Sequence, residues 1–263
     1  MKIACQENKV PGETFQEKID NLERFGFAGV ELMHGRLAER LSEVKQALSN
    51  SSVQASTVCT GSEHDLLGVT KDDRAARMER FRGLLALAGE LGLVGVIAVP
   101  VRGRDPIFPD LSPYQSGADL ERNLYVELLR EAGESAAREG TNILVEPLNR
   151  YETHLANTLA DGAALCAAAD HPNVNIMADF FHMSIEEADI AASIRDAAQY
   201  VKHVHLADSN RTQPGTGHTE FNSGFAALQE IGFDGFMALE CGITGDPEES
   251  LPATAAYLKS CMA

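Results

Sequence analysis

The chain has no tryptophan among its 263 residues, so no site in it is walled by an indole. Its five cysteines, Cys5, Cys59, Cys166, Cys241 and Cys261, are scattered and form no CxxC pair. That spacing offers neither a disulfide framework nor a zinc knuckle, and a reducing cytoplasm is the expected location. Basic residues are few: 22 Lys and Arg stand against 39 Asp and Glu, a formal net charge of -17. Phosphate backbones and anionic headgroups select basic surfaces, so neither nucleic acid nor a membrane is an expected partner. No GxGxxG follows the first candidate strand and no GxxxxGK[ST] occurs, which removes the usual support for a nucleotide site. The opening MKIACQENKVPGETF lacks the apolar stretch of a signal peptide. The most apolar segment, LLALAGELGLVGVIAVPV from Leu84, is interrupted by Glu90 and several glycines. It reads as a helix end, a turn and a buried strand, not as a membrane span.

What is present is an alternation of short β-branched runs with longer segments of helical period. The candidate strands are Lys2–Gln6, Gly29–Met33, Val53–Thr60, Val94–Pro100, Asn142–Glu146, Val174–Phe180, Val201–Asp208 and Gly235–Glu240. Helical patterns between them include TFQEKIDNLERFGF, LAERLSEVKQALSN, DDRAARMERFRGLLALAGELG, DLERNLYVELLREAGESAAREG and FAALQEIGF, several ending at a glycine suited to a C-cap. Eight βα repeats in a chain of this length predict an α/β fold, a (β/α)8 TIM barrel forming one domain over residues 1–263. The irregular stretches Gly61–Lys71, Val101–Gly117 and Asn210–Glu220 all follow candidate strands, which assigns them to the C-terminal face where barrel active sites are built.

Four strands finish on a potential metal ligand. Glu146 ends the fifth, Asp179 the sixth, His205 lies near the end of the seventh and Glu240 ends the eighth. Each stands roughly 30 residues from the next, one βα repeat, so a barrel brings all four to one rim. Taken singly, an Asp or Glu in such a place is most often a helix cap or a solvated loop residue. Four at consecutive strand ends reverse that expectation, because carboxylates crowded together repel one another unless a cation joins them. Three carboxylates and an imidazole suit Mn2+, Mg2+ or Co2+. Such an ion polarises a carbonyl and stabilises an enediolate while neighbouring carboxylates move protons. In VKHVHLAD, alternation puts His203 and His205 on the same side of the strand, and nearness to the rim favours His205. His182, three residues after Asp179, is either a contact for a substrate hydroxyl or a surface-loop histidine. Arg211 either clamps a substrate oxygen or pairs with local carboxylates. Glu152 is either a support for a ligand or a solvated charge, Asp208 and Ser209 are read as loop caps, and His64 in GSEHD is left outside the site.

The runs VEPLNRYE, ADFFHM with IEEAD after it, HVHLADSNR followed by PGTGH, and the late ALE resemble the ketose 3-epimerase family within the xylose-isomerase-like barrels. The resemblance is strongest from about Asn142 to Cys241. It implies a single divalent cation, commonly Mn2+ or Co2+, held by Glu146, Asp179, His205 and Glu240. It further implies that Glu146 and Glu240 are the catalytic acid/base pair on opposite faces of the substrate carbon, working through a cis-enediolate. His182 and Arg211 match positions that contact sugar oxygens, and Glu152 matches an assisting carboxylate. A small sugar or sugar-like substrate and a homodimer or homotetramer are implied as well. The family walls the far end of its sugar with aromatic residues, tryptophan among them. The absence of tryptophan, and of aromatic residues in the first strand KIACQENK and its loop, admits a different polyol, a keto-acid or a 3-keto-sugar derivative.

Three enzyme alternatives share this barrel: a metal-dependent lyase acting on 3-oxo-glycosides with a small partner subunit, a hydroxypyruvate isomerase-like enzyme, and an apurinic-site endonuclease. The last requires extra histidines from the third and fourth strands, which here end at TVCT and IAVP. A binding module without catalysis would hold its ligand tightly and exchange no proton with solvent.

Overall fold

The computed structural model describes residues 1–262. Strands β1 (Lys2–Gln6), β2 (Gly29–Met33), β3 (Gln54–Cys59), β4 (Gly95–Ala98), β5 (Ile143–Val145), β6 (Val174–Asp179), β7 (Val201–Leu206) and β8 (Phe236–Leu239) pair in parallel, each with the next. β8 pairs with β1 and closes the barrel, so the sheet has no open edge. The fold is a single-domain (β/α)8 TIM barrel. β1 and β2 match the sequence reading residue for residue, whereas β3 to β8 are shorter than read. In particular, β5 and β8 stop one residue before Glu146 and Glu240. Both residues still donate a backbone hydrogen bond to the neighbouring strand, Glu146 to Ala98 at 3.1 Å and Glu240 to Leu206 at 3.2 Å. They sit where the ladder ends and side chains are free to turn toward the axis.

The helices α1 (Phe15–Phe25), α2 (Leu41–Ser49), α3 (Lys71–Glu90), α4 (Gly117–Glu139) and α8 (Phe221–Glu230) occupy the segments read as helical. Four more were not singled out from the sequence: α5 (Leu159–Ala169), α6 (Phe180–Glu186), α7 (Ile190–Asp196) and α9 (Pro247–Cys261). In α5, LADGAALCAAA carries small apolar residues on every side, so no stripe marks it. Its start is fixed instead by a capping box between Thr158 and Asp161. Among the described residues, no helix is long and apolar enough to cross a membrane.

Alternation along the strands divides the core in two. Val30, Val58, Val96, Val145, Ile176, Val204 and Leu239 face the helices and belong to the large outer layer. The inward positions form a much smaller apolar plug, Cys59, Ile97, Leu144 and Met177 with Ala4, Phe236 and Ala238. Gly29 makes room for Phe236 inside the barrel: a Cβ at Gly29 would lie 2.6 Å from the ring. Gly29→Ala is therefore expected to cost about 1–3 kcal/mol by overpacking, read as a lowered midpoint in denaturant. The apolar plug fills the barrel from below, and what lies above it is polar.

Candidate active site

Glu146, Asp179, His205 and Glu240 come together at the C-terminal rim. Each offers one ligand atom, and these atoms all lie within 4.8 Å of one another. His205 Nδ1 is 2.9 Å from Glu240 Oε2, 3.6 Å from Glu146 Oε1 and 3.8 Å from Asp179 Oδ2. Despite these approaches Nδ1 makes no hydrogen bond, and neither does the buried Glu146 Oε1. Buried polar atoms are seldom left so, because each unmet atom costs roughly 1–3 kcal/mol. The two orphaned atoms lie 3.6 Å apart, and a cation between them would satisfy both. Asp179 serves two purposes at once: Oδ1 caps α6 by accepting from Phe181 N at 2.7 Å, while Oδ2 faces the cluster. A helix cap and a place in the cluster, which the sequence posed as alternatives, are here the two oxygens of one carboxylate.

A further acidic residue, Glu31, stands behind the cluster without being one of the four strand-end residues. It points inward from β2 and is fully buried. Its carboxylate receives His205 Nε2 at 2.9 Å, His203 Nε2 at 2.9 Å, Thr57 Oγ1 at 2.6 Å and Gln6 Nε2 at 3.0 Å. Burial acts to raise this carboxyl, but the charges and hydrogen bonds of His205 and His203 outweigh it and hold it well below the usual carboxylate range. By engaging Nε2, Glu31 turns Nδ1 of His205 toward the three carboxylates, the arrangement by which a second carboxylate orients a metal-binding imidazole. The signal available was an acidic residue inside the apolar run GVELM. His203 lies deeper, as read, bonded to Glu31 and Thr57 through Nε2. Its Nδ1 is unpartnered, so it is only half satisfied.

Arg211 enters the cluster from the loop after β7. Its guanidinium donates to Asp179 Oδ2 at 2.7 Å and to Glu240 Oε2 at 2.5 Å, and stacks over the Phe181 ring at 4.6 Å. Its backbone adopts φ +59°, a left-handed conformation that L side chains seldom take and that is typically retained where function requires it. Burial would depress the acidity of Asp179, yet the charge of Arg211 keeps that carboxyl far below its ordinary value. Burial raises Glu146, with Glu240 adding to the rise. Burial acts the same way on Glu240, but His205 and Arg211 outweigh it and lower that carboxyl. His182 is not in a surface loop: it lies on α6, 3% exposed, because the helix begins directly at the end of β6. Its Nδ1 accepts from Asn149 N at 3.1 Å, which leaves Nε2 facing Asp179 Oδ2 at 3.7 Å. Glu152 remains half exposed; its Oε1 accepts from Asn149 Nδ2 at 2.8 Å and lies 4.0 Å from His182 Nδ1.

Asp208 organises the loop that delivers Arg211. Its carboxylate accepts from the backbone N–H groups of Ser209, Gly215, Thr216 and Thr219, and its carbonyl accepts from Arg211 N. Burial opposes ionisation, but these N–H donors prevail and lower the carboxyl to about 2. A carboxyl depressed on folding stabilises the fold above its unfolded value, near 4, and that contribution is lost as pH falls toward 2. We expect Asp208→Ala to expose residues 209–219 to limited proteolysis at neutral pH, and the wild-type loop to acquire the same sensitivity on acidification.

The donor set thus fits a divalent cation: three carboxylates and an oriented imidazole on the axis of a closed barrel. Comparison with known proteins agrees. Residues 19–261 match the family model described as xylose isomerase-like TIM barrel, and the chain belongs to that family. Over 263 residues it is 31% identical to 3-dehydro-D-guloside 4-epimerase of Escherichia coli, covering 99% of this chain and all of that one. It is 39% identical to D-psicose 3-epimerase of Ruminiclostridium cellulolyticum over 122 residues, 46% of this chain and 41% of the relative. Among solved structures, 3-keto-D-glucoside 4-epimerase from E. coli superposes with a TM-score of 0.90 at 31% identity, covering 99% of this chain and 100% of that one. D-psicose 3-epimerase from Clostridium cellulolyticum, at 23% identity and TM-score 0.86, shares the fold over 100% of this chain and 99% of that one. The relatives are carbohydrate epimerases, and the resemblance to ketose 3-epimerases holds at the level of the family.

Proposed function

We propose that this protein is a divalent-metal-dependent sugar epimerase that moves a proton at the carbon next to a ketone. The observation that carries the proposal is the meeting of Glu146 and Glu240 on one centre, from strands separated in the barrel by β6 and β7. A divalent ion held by Glu146, Asp179, His205 and Glu240, with Mn2+ favoured and Co2+ or Mg2+ as alternatives, supplies positive charge against the oxyanion that develops as the proton leaves. Glu146 and Glu240 are the proton carriers. They reach the centre from different directions, so one carboxylate removes the proton from one face and the other returns a proton to the opposite face, inverting the carbon. Arg211 and the Nε2 edge of His182 bind substrate oxygens beside the reacting carbon, and Glu152 steadies His182 through Asn149.

The substrate we favour is a 3-keto-glycoside inverted at C4. Full-length similarity to 3-dehydro-D-guloside 4-epimerase supports it, as does the lack of tryptophan to wall a free hexose. The runner-up is a free ketose inverted at C3, the activity named for the relatives that match over about half of the chain. Both substrates present a ketone beside a hydroxyl-bearing carbon, which is what the cluster requires. We place the enzyme in the cytoplasm on the pattern of its cysteines, and as a homodimer or homotetramer by family resemblance. The test is NMR of 3-keto-glycosides and ketoses incubated in D2O with metal-loaded and chelator-stripped protein. Metal-dependent deuterium at C4 of a 3-keto-glycoside, with inversion, is the expected result. Deuterium at C3 of a ketose selects the runner-up, release of an aglycone selects a lyase, and no exchange in any substrate with metal bound overturns the reading.

A further inference from the structure

A second convergence of ligand-type side chains lies outside the cluster just described and shares no residue with it. His34 directly follows β2, and Glu63 and His64 belong to the 3-10 turn Ser62–His64 after β3. One ligand atom from each lies within 4.8 Å of the others. Glu63 Oε1 is 2.9 Å from His34 Nε2 and 3.8 Å from His64 Nδ1. Ligands about 2 Å from a tetrahedral ion stand roughly 3.3 Å from one another, a separation that these two distances bracket. The imidazoles do not stack: their centres are 4.7 Å apart and their planes are tilted by 56°. His64 Nδ1 is buried and has no hydrogen-bond partner, so the nitrogen turned toward Glu63 is unsatisfied as it stands.

The surroundings keep this arrangement possible. A Cβ at Gly61 would fall 2.5 Å from Glu63 Oε2 and 2.9 Å from His34 Cε1, so the glycine is what lets carboxylate and imidazole fold together. Arg80, from α3, donates to the Glu63 carbonyl and fixes the turn. His34 and His64 line a cleft of about 400 Å3 that also touches Arg80 and Glu90, which gives an ion a path in and room for a water ligand.

We propose that His34, Glu63 and His64 bind a borderline divalent transition ion, with Zn2+ as its representative, at a second site that ties the loop after β2 to the loop after β3. Two imidazoles and one carboxylate select such an ion over Mg2+ or Ca2+, which prefer all-oxygen shells. The proposal stands apart from the proposed epimerase reaction and is tested without an activity assay. Full-length protein is stripped, loaded with Zn2+, dialysed and analysed for metal. The wild type is expected to retain about two equivalents per chain, whereas His64→Ala and Glu63→Gln retain one and bind the second at least tenfold more weakly. Asp179→Asn is expected to lose the other equivalent and keep this one. Co2+ loading provides a second readout, in which the intense visible absorption of a low-coordinate ion disappears in His64→Ala. Glu63 is more than half exposed, so Glu63→Gln retains the fold even where a histidine variant does not. Wild-type metal that is lost entirely in Asp179→Asn, or bound metal that is unchanged in both His64→Ala and Glu63→Gln, overturns the proposal, whereas a single wild-type equivalent lost in His64→Ala and kept in Asp179→Asn upholds it and counts against the other cluster.

Discussion

Replacing Glu146 or Glu240 with glutamine is expected to lower turnover by about 10^3-fold or more while leaving the circular dichroism and melting of the protein close to wild type. Glutamine preserves the shape of each side chain, and in both residues the backbone continues to donate to the neighbouring strand, so the barrel is not at risk. What is lost, under the proposed mechanism, is a group that carries a proton and a negative charge beside the reacting carbon. The two variants should fail equally in both directions of the reaction, because inversion needs a carrier on each face. Rates of substrate inversion by NMR, with bound metal quantified in the same samples, check this. Either variant turning over near the wild-type rate with its metal bound would rule out the two-glutamate mechanism.

Glu31→Gln is expected to weaken metal binding at the proposed centre by 10–100-fold, although Glu31 itself is not among the four proposed ligands. The carboxylate accepts from four donors at once, and an amide in its place offers one accepting oxygen and an NH2 that faces other N–H groups. The Nε2–H of His205, which lies 2.9 and 3.0 Å from the two Glu31 oxygens, then faces one neutral oxygen and an NH2 group, and the ring is less firmly held with Nδ1 toward Glu146, Asp179 and Glu240. Glu31→Ala goes further, leaving the donors of Gln6, Thr57, His203 and His205 buried without a partner. We expect a loss of about 3–5 kcal/mol for that change, comparable to breaking a buried ion pair. Competition with a chelator reads the first effect and denaturant unfolding the second. Metal affinity unchanged in Glu31→Gln would mean that His205 is oriented by packing alone.

Much of this protein follows from the order of its residues. Strand period, glycine caps and eight repeats lead to the barrel, and the barrel alone brings Glu146, Asp179, His205 and Glu240 to one rim. These features are legible because each is local: a run of a few residues, or a spacing of one βα unit. The lack of tryptophan and of basic surface is equally legible, since absence needs no coordinates. What the sequence left open were questions of direction and of contact across the barrel. It could not place His182 in a buried helix, since that depends on α6 starting with no loop after β6. Nor could it give Asp179 both a capping oxygen and a site oxygen. Glu31 is visible in the sequence as an acidic residue in an apolar run, but its role is not: its partner His205 is 174 positions away, on a strand that β2 meets only through the barrel interior. Periodicity reports which face of a strand a residue occupies. Which nitrogen of His205 faces the site, and what holds it there, is decided only when the sheet closes and opposite strands share one axis.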